Sequence, residues 1–301
     1  MTDNPNSIKF ISIIIPNLNS PLIGEVIEAV KNQNISCNKE IIVIGKDKWK
    51  ILQNFSEDIK FIETIQPLSA AKARNIGLKE SKGDLLVFID ADCIAQKKWL
   101  SNLVYRINEG FQIVGGGVKY NKENFLSSVY NIAMLHEFFS TKKRGSKNYL
   151  PTLNLAIRRE VMNKIGYLNE AFLRCEDLEW TLRMKQSGYK LLFEPSAIIL
   201  HKPFHSSFKS LRDTFFEDGF FSIQNRFRFS NIYEMPNILR YAIVWKFFSL
   251  IISTYSTIKI YFITRQFREN IRAFPHIFIL KFYWCLGAAK GIKYMKNKRS
   301  K

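Results

Sequence analysis

The stretch DLLVFIDAD, residues 84–92, decides how this chain folds. Leu85 to Ile89 form an unbroken apolar run behind Gly83, the pattern of a strand buried on both faces of a parallel sheet. Ligands of open α/β sheets gather beyond the carboxyl ends of such strands, which is where Asp90 and Asp92 fall, separated by one small residue. Hard divalent cations such as magnesium or manganese take one or two protein carboxylates and complete their shell with substrate phosphate oxygens. A D-x-D step at this place therefore suits a metal held against a diphosphate. An isolated D-x-D is more often an ordinary turn, so the surrounding chain has to decide.

Upstream of this run the chain alternates between strand and helix patterns. FISIII, 10–15, reads as a buried strand ending at Pro16 and the polar turn NLNS. In PLIGEVIEAVKNQ, Leu22, Ile23, Val26, Ile27 and Val30 recur at helical spacing, and Pro21 suits a first helical turn. EIIVIG, 40–45, is the next strand, followed by a short helix near 47–55, a strand at IKFIET and a helix through SAAKARNIGLKES. This alternation implies right-handed parallel crossovers and an α/β, doubly wound sheet.

Downstream the pattern is less regular. FQIVGGGVKY reads as a strand whose glycines, Gly115 to Gly117, admit a second backbone or a ligand. LNLAIRREVMNKIG reads as a strand entering a helix, CEDLEWTLRMKQSG as a helix stopped by Gly188, and KLLFEPSAIILH as a last strand pair. From about residue 206 the pattern is helical, aromatic and basic.

Charge and cysteine usage narrow the class. The 301 residues carry a net charge of +19, and residues 222–301 hold fifteen Lys or Arg against Glu234 and Glu269, a local +13. Nucleic acid and anionic membrane are the usual partners of such charge. The basic excess lies mainly in an apolar tail and no nucleic-acid motif accompanies it, so no nucleic-acid partner is expected. Cys37, Cys93, Cys175 and Cys285 have no C-x-x-C spacing, which argues for free thiols and against a zinc or disulfide framework. The start MTDNPNSIKF lacks a basic region followed by a long apolar core, so no secretory signal is expected.

Taken in order, IIIPNLN, EIIVIG, AAKARNIGLKESKGDLLVFIDADC, NLAIRREVMNKIGYLNEAF and CEDLEWTLRMKQSGYKLLFEPSAIILH resemble family-two glycosyltransferases of the GT-A fold. The resemblance covers roughly residues 10–205. It implies a Rossmann-like, doubly wound mixed sheet and transfer of a sugar from a nucleotide-diphosphate sugar to a hydroxyl. Pro16 and Asn19 are thereby implied in the base and ribose pocket. Relatives commonly carry an acidic pair after the second strand; this chain has Gly45, Lys46 and Asp47 there, which makes Asp47 the substitute acid. Arg74 matches a position near the nucleotide, where a guanidinium reaches phosphate or ribose oxygens, with Lys72 adding charge or simply lying on a solvated helix face. Asn75 and Gly77 are assigned to helix packing.

The resemblance also places Asp90 and Asp92 on the metal and nucleotide, and His201 as the residue completing the metal shell. A histidine after a strand is otherwise a structural residue. Asp177 matches the base that takes the acceptor proton, and a carboxylate at a helix start can be aimed at that point. Adjacent helical residues point about 100° apart, so Glu176 is cast as an orienter or acceptor contact. The bland alternative for the pair is a charged first turn favoured by the helix dipole. Trp180 and Arg183 read as core packing and a surface salt bridge, with acceptor-side packing as the functional alternative. The implied reaction is a single displacement with inversion, assisted by manganese or magnesium.

Two segments concern partners. HEFFSTKKRGSKNY, 136–149, with Lys142, Lys143, Arg144 and Lys147, reads as a mobile basic loop, either a solvated charge run or a cover for the donor or an anionic acceptor. The apolar stretches 241–264 and 273–295 are interrupted by Lys246, Lys259, His276 and Lys281, too often for a clean span. Both fit interfacial helices, and the ending KYMKNKRSK adds attraction to anionic lipid; a short membrane hairpin and packing on the catalytic domain are the lesser alternatives. The expected division is a GT-A domain at 1–215, with a donor half of about 1–120 and an acceptor and base half of about 121–215, then a helical membrane-associating region at 216–301. The expected partners are a nucleotide-sugar donor, a glycan or lipid-linked acceptor and an anionic membrane surface. The expected location is cytoplasmic, on the cytosolic membrane face, in cell-surface polysaccharide or glycolipid assembly. A non-catalytic basic scaffold is the competing class.

Overall fold

The computed structural model describes residues 8–122, 124–205, 207–264 and 271–299. Residues 1–7, part of the stretch on which the secretory-signal reading rested, and residues 300–301 of the basic ending lie outside the described residues.

The first half forms β1 (Phe10–Leu18), α1 (Ile23–Lys31), β2 (Asn38–Lys46), β3 (Lys60–Glu63), α2 (Ala70–Glu80), β4 (Leu85–Ile89), β5 (Cys93–Ala95) and α3 (Trp99–Asn108). β1 pairs in parallel with both β2 and β4, and β2 with β3. This is the parallel core that the alternation of patterns predicts. All five residues of β4 are buried, as are the α1 residues Ile23, Val26, Ile27 and Val30, which cover the sheet. Each such aliphatic side chain contributes roughly 1.5–3 kcal/mol on burial. The short helix expected near 47–55 is a 3-10 turn at Ile51–Phe55.

The chain continues as β6 (Ile113–Tyr120), α4 (Phe125–Leu135), β7 (Gly145–Ser146), β8 (Asn154–Arg158), α5 (Arg159–Ile165), α6 (Glu176–Gln186) and β9 (Leu191–His201). β8 inserts antiparallel between β4 and β6, giving a mixed nine-stranded sheet in the order β3-β2-β1-β4-β8-β6-β9-β5, with β7 added to β9. The glycine run of β6 has a steric cause. A Cβ at Gly116 would strike the Ala197 carbonyl and the Asn154 side chain, and one at Gly117 the Pro195 carbonyl. Asn154 itself is buried; its Nδ2 donates to the carbonyls of Gly117 at 3.1 Å and Ala197 at 2.9 Å, and its Oδ1 accepts from the Trp99 indole at 2.8 Å.

Two sequence expectations change. The strand pair expected at 190–201 is one strand, β9, which continues through Pro195 while pairing with β7 near one end and β5 at the other. The basic segment is also less loop-like than its charge suggests. Gly145 and Ser146 pair with Phe193 and Leu192, and Arg144 lies 3.8 Å from the buried Glu194 carboxylate. Segments β5, α3 and α4 drew no expectation from the sequence.

The chain separates into two compact units, Met1–Lys119 with Phe138–Lys202, and Tyr120–Glu137 with Pro203–Lys301. A single cut near 215 does not reproduce them, because residues 120–137 group with the carboxyl-terminal helices. The second unit contains α4, α7 (Phe208–Arg228), α8 (Ser230–Tyr233), α9 (Ala242–Phe247), α10 (Ser249–Thr264) and α11 (Phe274–Arg299). α7 and α11 meet backbone to backbone: a Cβ at Gly219 would strike the Trp284 carbonyl, and one at Gly287 the Phe216 carbonyl. Around this crossing Ile223, Trp245, Cys285, Ala288, Ala289 and Ile292 form a core. The Lys281 ammonium is drawn into this unit, donating to the Ala133 carbonyl at 2.9 Å; burial, helped by Arg226, pushes its pKa down to about 8. Among the described residues, no helix is long and apolar enough to cross a membrane.

Candidate active site

Helix α2 begins where Ser69 caps it, its Oγ accepting from the Lys72 backbone N–H at 3.4 Å. Gly77 lets the helix press on β1 and β2, since a Cβ there would lie 2.8 Å from Ile44 Cδ1. Asn75 fastens the helix at its other side, donating to the Leu168 carbonyl at 3.0 Å and to Glu170 at 2.9 Å. Held between these anchors, the Arg74 side chain is only 4% exposed. Its guanidinium reaches Asp90 Oδ1 at 2.6 Å and Glu176 Oε1 at 2.7 Å, bridging the end of β4 to the start of α6. Burial works against the Arg74 charge, but Asp90, Glu176 and Asp177 outweigh it and hold the guanidinium more firmly protonated than usual.

Helix α6 starts after Cys175, whose φ of 58° is left-handed, so the chain turns sharply into Glu176 and Asp177. The Leu178 N–H donates to Asp177 Oδ1 at 2.7 Å. Burial and then the Glu176 charge push the Asp177 carboxyl up to about 7, with Arg74 opposing. A carboxyl poised there can exchange a proton near neutrality. Glu176 instead spends an oxygen on Arg74, which makes it a positioning group for this network. Trp180 and Arg183 serve the scaffold. The Trp180 indole donates to the Gly166 carbonyl at 2.8 Å and packs edge-on to Phe88, and Arg183 binds Glu179 and the carbonyls of Ile165 and Tyr167.

A second group assembles where β5 pairs with β9. The register sets Cys93 opposite His201, and the Lys202 N–H donates to the Asp92 carbonyl at 2.9 Å. His201 Nε2 then lies 3.6 Å from Asp92 Oδ2, and ligand atoms of Asp92, Cys93 and His201 all fall within 4.8 Å of one another. Burial opposes the Asp92 charge, yet the His201 interaction holds its carboxyl below the ordinary range, so it is anionic near neutrality. Burial, with Asp92 and Asp90, pushes the Cys93 thiol well up, leaving it protonated. A carboxylate oxygen beside an imidazole nitrogen fits a divalent metal of the manganese class. Asp90, expected as the other carboxylate ligand, turns one oxygen to Arg74 and is not in this trio. Cys93 was not singled out by sequence reading; its only signal was adjacency to Asp92.

The loops after β1 and β2 form a third cluster. Gly45 has φ 135°, and a Cβ there would overlap the Asn17 carbonyl, so glycine is required for these strand ends to close on each other. Asn19 donates its N–H to the Lys46 carbonyl at 2.9 Å and accepts from the Lys48 N–H at 2.8 Å. Pro16 lies opposite Ile44 in the register. Asp47 Oδ2 accepts from the Leu52 N–H at 2.7 Å, while its buried Oδ1 has no hydrogen-bond partner. Ser20 donates to the Ala91 carbonyl at 2.6 Å, tying this loop to the residue between the two aspartates. Lys72 is exposed on α2.

The order of the parallel strands, the antiparallel insertion of β8 and the carboxylates at the end of β4 define the GT-A class of α/β fold. The family model "Glycosyl transferase family 2" matches residues 12–167, more than half of the sequence, and the chain belongs to that family and is a glycosyltransferase. The glycosyltransferase AglE of Haloferax volcanii is 28% identical over 211 residues, 66% of this chain and 69% of that protein. The GalNAc(5)-diNAcBac-PP-undecaprenol β-1,3-glucosyltransferase of Campylobacter jejuni is 29% identical over 130 residues, 40% of this chain and 42% of that one. Among solved structures, the mannosyltransferase PcManGT of Pyrobaculum calidifontis in complex with GDP-Man and Mn2+ superposes with a TM-score of 0.57 at 13% identity. That superposition covers 98% of this chain and 80% of the mannosyltransferase, and it shows likeness of fold.

Proposed function

We propose that this chain transfers a sugar from a nucleotide-diphosphate sugar to a hydroxyl by single displacement with inversion, with Asp177 as the base. The observation that carries the reading is the Arg74 bridge, which fastens Asp90 to the turn presenting Asp177, a carboxyl whose pKa of about 7 suits proton transfer. Asp177 takes the acceptor proton as the anomeric carbon is attacked. Glu176 keeps Arg74, and through it the α6 turn, in place. Pro16, Asn19 and Asp47 receive the nucleotide, with the unpartnered Asp47 oxygen as acceptor for a donor group on the base or ribose.

Asp92 and His201 would hold the divalent cation, manganese or magnesium, with Cys93 beside them as a neutral thiol and Asp90 able to contribute its other oxygen. When bound, that cation supplies positive charge to the departing diphosphate. The acceptor we propose is a glycan or lipid-linked sugar in cell-surface polysaccharide or glycolipid assembly. The Campylobacter relative's name specifies an undecaprenol diphosphate-linked acceptor, which supports that choice. The basic helical unit, with +13 across residues 222–301, suits peripheral attachment to an anionic membrane face, the cytosolic one in this reading.

The deciding experiment is Asp177→Asn assayed for nucleotide release and for donor binding. Donor affinity should stay within about threefold while acceptor-dependent turnover falls by about 10³ or more. Retained turnover removes Asp177 from the base role.

A further inference from the structure

The two apolar stretches of the tail look alike in sequence, but the structure uses them in opposite ways. In α11, Ile277, Leu280, Cys285, Ala288, Ala289 and Ile292 are buried, and the helix is the spine of its unit. In α10 the arrangement is reversed. The buried face carries Ser249, Ser253 and Thr257, joined only near the end by Ile260 and Tyr261. The inward hydroxyls satisfy themselves within the helix: Ser253 donates to the Ser249 carbonyl at 2.6 Å and Thr257 to the Ser253 carbonyl at 2.7 Å.

The outer face carries the large apolar side chains. Leu250, Ile251, Tyr255, Ile258 and Phe262 are all exposed, and at 100° per residue Ile251, Tyr255, Ile258 and Phe262 fall within one arc opposite the small hydroxyl residues. The preceding turns extend the patch with Ile243, Phe247, which is 76% exposed, and Phe248. A helix that buries its small polar residues and exposes its aliphatic and aromatic ones is inverted for water, and a contiguous exposed patch of this kind marks an interaction surface.

Charge selects the occupant. From Met235 to Lys301 the only acidic residue is Glu269, and Arg240, Lys246, Lys259 and Arg272 are exposed in the same unit. Lys246 and Lys259 flank the apolar patch on α9 and α10, and the Lys259 ammonium folds back over the Tyr255 ring at 5.9 Å. Apolar side chains bordered by cations on long stems, with no carboxylate among the described residues of α9 and α10, match the boundary between acyl chains and anionic headgroups.

We infer that the outer face of α9 and α10, centred on Phe247, Ile251, Tyr255 and Phe262, is the surface that inserts into an anionic bilayer, and that α11 is not. The inference rests on the proposed membrane attachment and assigns it to one helix face. It is tested by co-sedimentation of the full chain with vesicles of phosphatidylcholine alone or with 30% phosphatidylglycerol, together with sizing by light scattering. The quadruple variant Phe247→Gln, Ile251→Gln, Tyr255→Gln, Phe262→Gln replaces exposed side chains, so its folding should survive and its Tm serves as the check. Binding to the anionic vesicles should fall by about tenfold or more. Lys246→Gln with Lys259→Gln should weaken binding and flatten its salt dependence, and Ile279→Gln with Tyr294→Gln on α11 should leave it unchanged.

Wild-type protein that ignores anionic vesicles overturns the membrane reading and this assignment together. Wild-type binding that the quadruple variant retains overturns the assignment alone. A wild-type dimer that the quadruple variant dissolves makes the face a self-interface and overturns the assignment as well.

Discussion

Both units of this chain bury an apolar core, but they differ in what else they bury and in what they leave outside. In the sheet unit the apolar residues are inside, and several of the charges that enter meet an opposite charge: Arg74 with Asp90 and Glu176, Arg106 with Glu194. In the helical unit an apolar core that includes Phe215, Ile223, Trp245 and Ile292 is joined by glycines at positions 219, 287 and 291 on the α7–α11 crossing and by hydroxyls at 249, 253 and 257 on the inner face of α10, while large apolar side chains lie outside on α10. The first arrangement suits a site that must hold charge against a charged ligand. The second suits a scaffold whose outer surface is meant for an apolar neighbour. The lesson is that burial of a charge or exposure of a hydrophobe is informative only beside its partner.

The contrast can be broken most forcefully at Arg74. Arg74→Met leaves Asp90 and Glu176 facing each other without their cation, and breaking a buried pair of this kind costs about 3–5 kcal/mol. Denaturant unfolding should show that loss, and Glu176→Gln in the Arg74→Met background should recover part of it. No recovery would mean that the network is not electrostatic in origin. In the helical unit the corresponding weak point is steric. Gly287→Ala sets a methyl against the Phe216 carbonyl, and the helices must part at a cost of about 1–3 kcal/mol. A Tm unchanged within 1 °C or so would mean the close crossing of α7 and α11 is not needed.

A milder effect is expected where the sheet unit gathers ligands. His201→Ala should weaken manganese binding by about 10–100-fold in a calorimetric titration, with little effect on nucleotide affinity in the absence of metal. Equal manganese affinity would remove His201 from the ligand set. The last test is the pH response of Asp177. Its folded pKa, about 7, lies above its ordinary value, so the native state holds the proton more tightly and stability falls as pH rises from about 4 through about 7. In the proposed mechanism catalysis runs the other way, because Asp177 as base must be ionised: kcat/KM should climb up to tenfold per pH unit below about 7 and level off above it. The Asp177→Asn protein should lose the stability slope in that window.

Much of this was legible in the chain before any coordinates. The continuous apolar runs at β1, β2 and β4, broken by polar turns at fixed intervals, require a parallel sheet because only strands buried on both faces tolerate such sequences. The order of motifs led to the family, and it was that order, not the carboxylates alone, that singled out the two aspartates after β4 and the pair opening α6, since turns and helix starts favour such residues anyway. Short elements were not legible. β5 has three residues and β7 two, too few for periodicity to appear, and β9 runs through a proline that reads locally as a break.

Sequence by itself thus determined the fold class, the family and the residues at the strand ends, because these depend on local hydrophobic period and on motifs that are continuous in the chain. Tertiary structure alone decided how those residues combine. Pairing of β5 with β9 placed Cys93 beside Asp92 and His201 in the candidate metal-ligand group, and the Arg74 bridge joined residues 102 positions apart in sequence. It also decided which of two similar apolar stretches became a buried spine and which turned its large side chains outward. No local pattern states that, because a helix acquires an inside only when something packs against it.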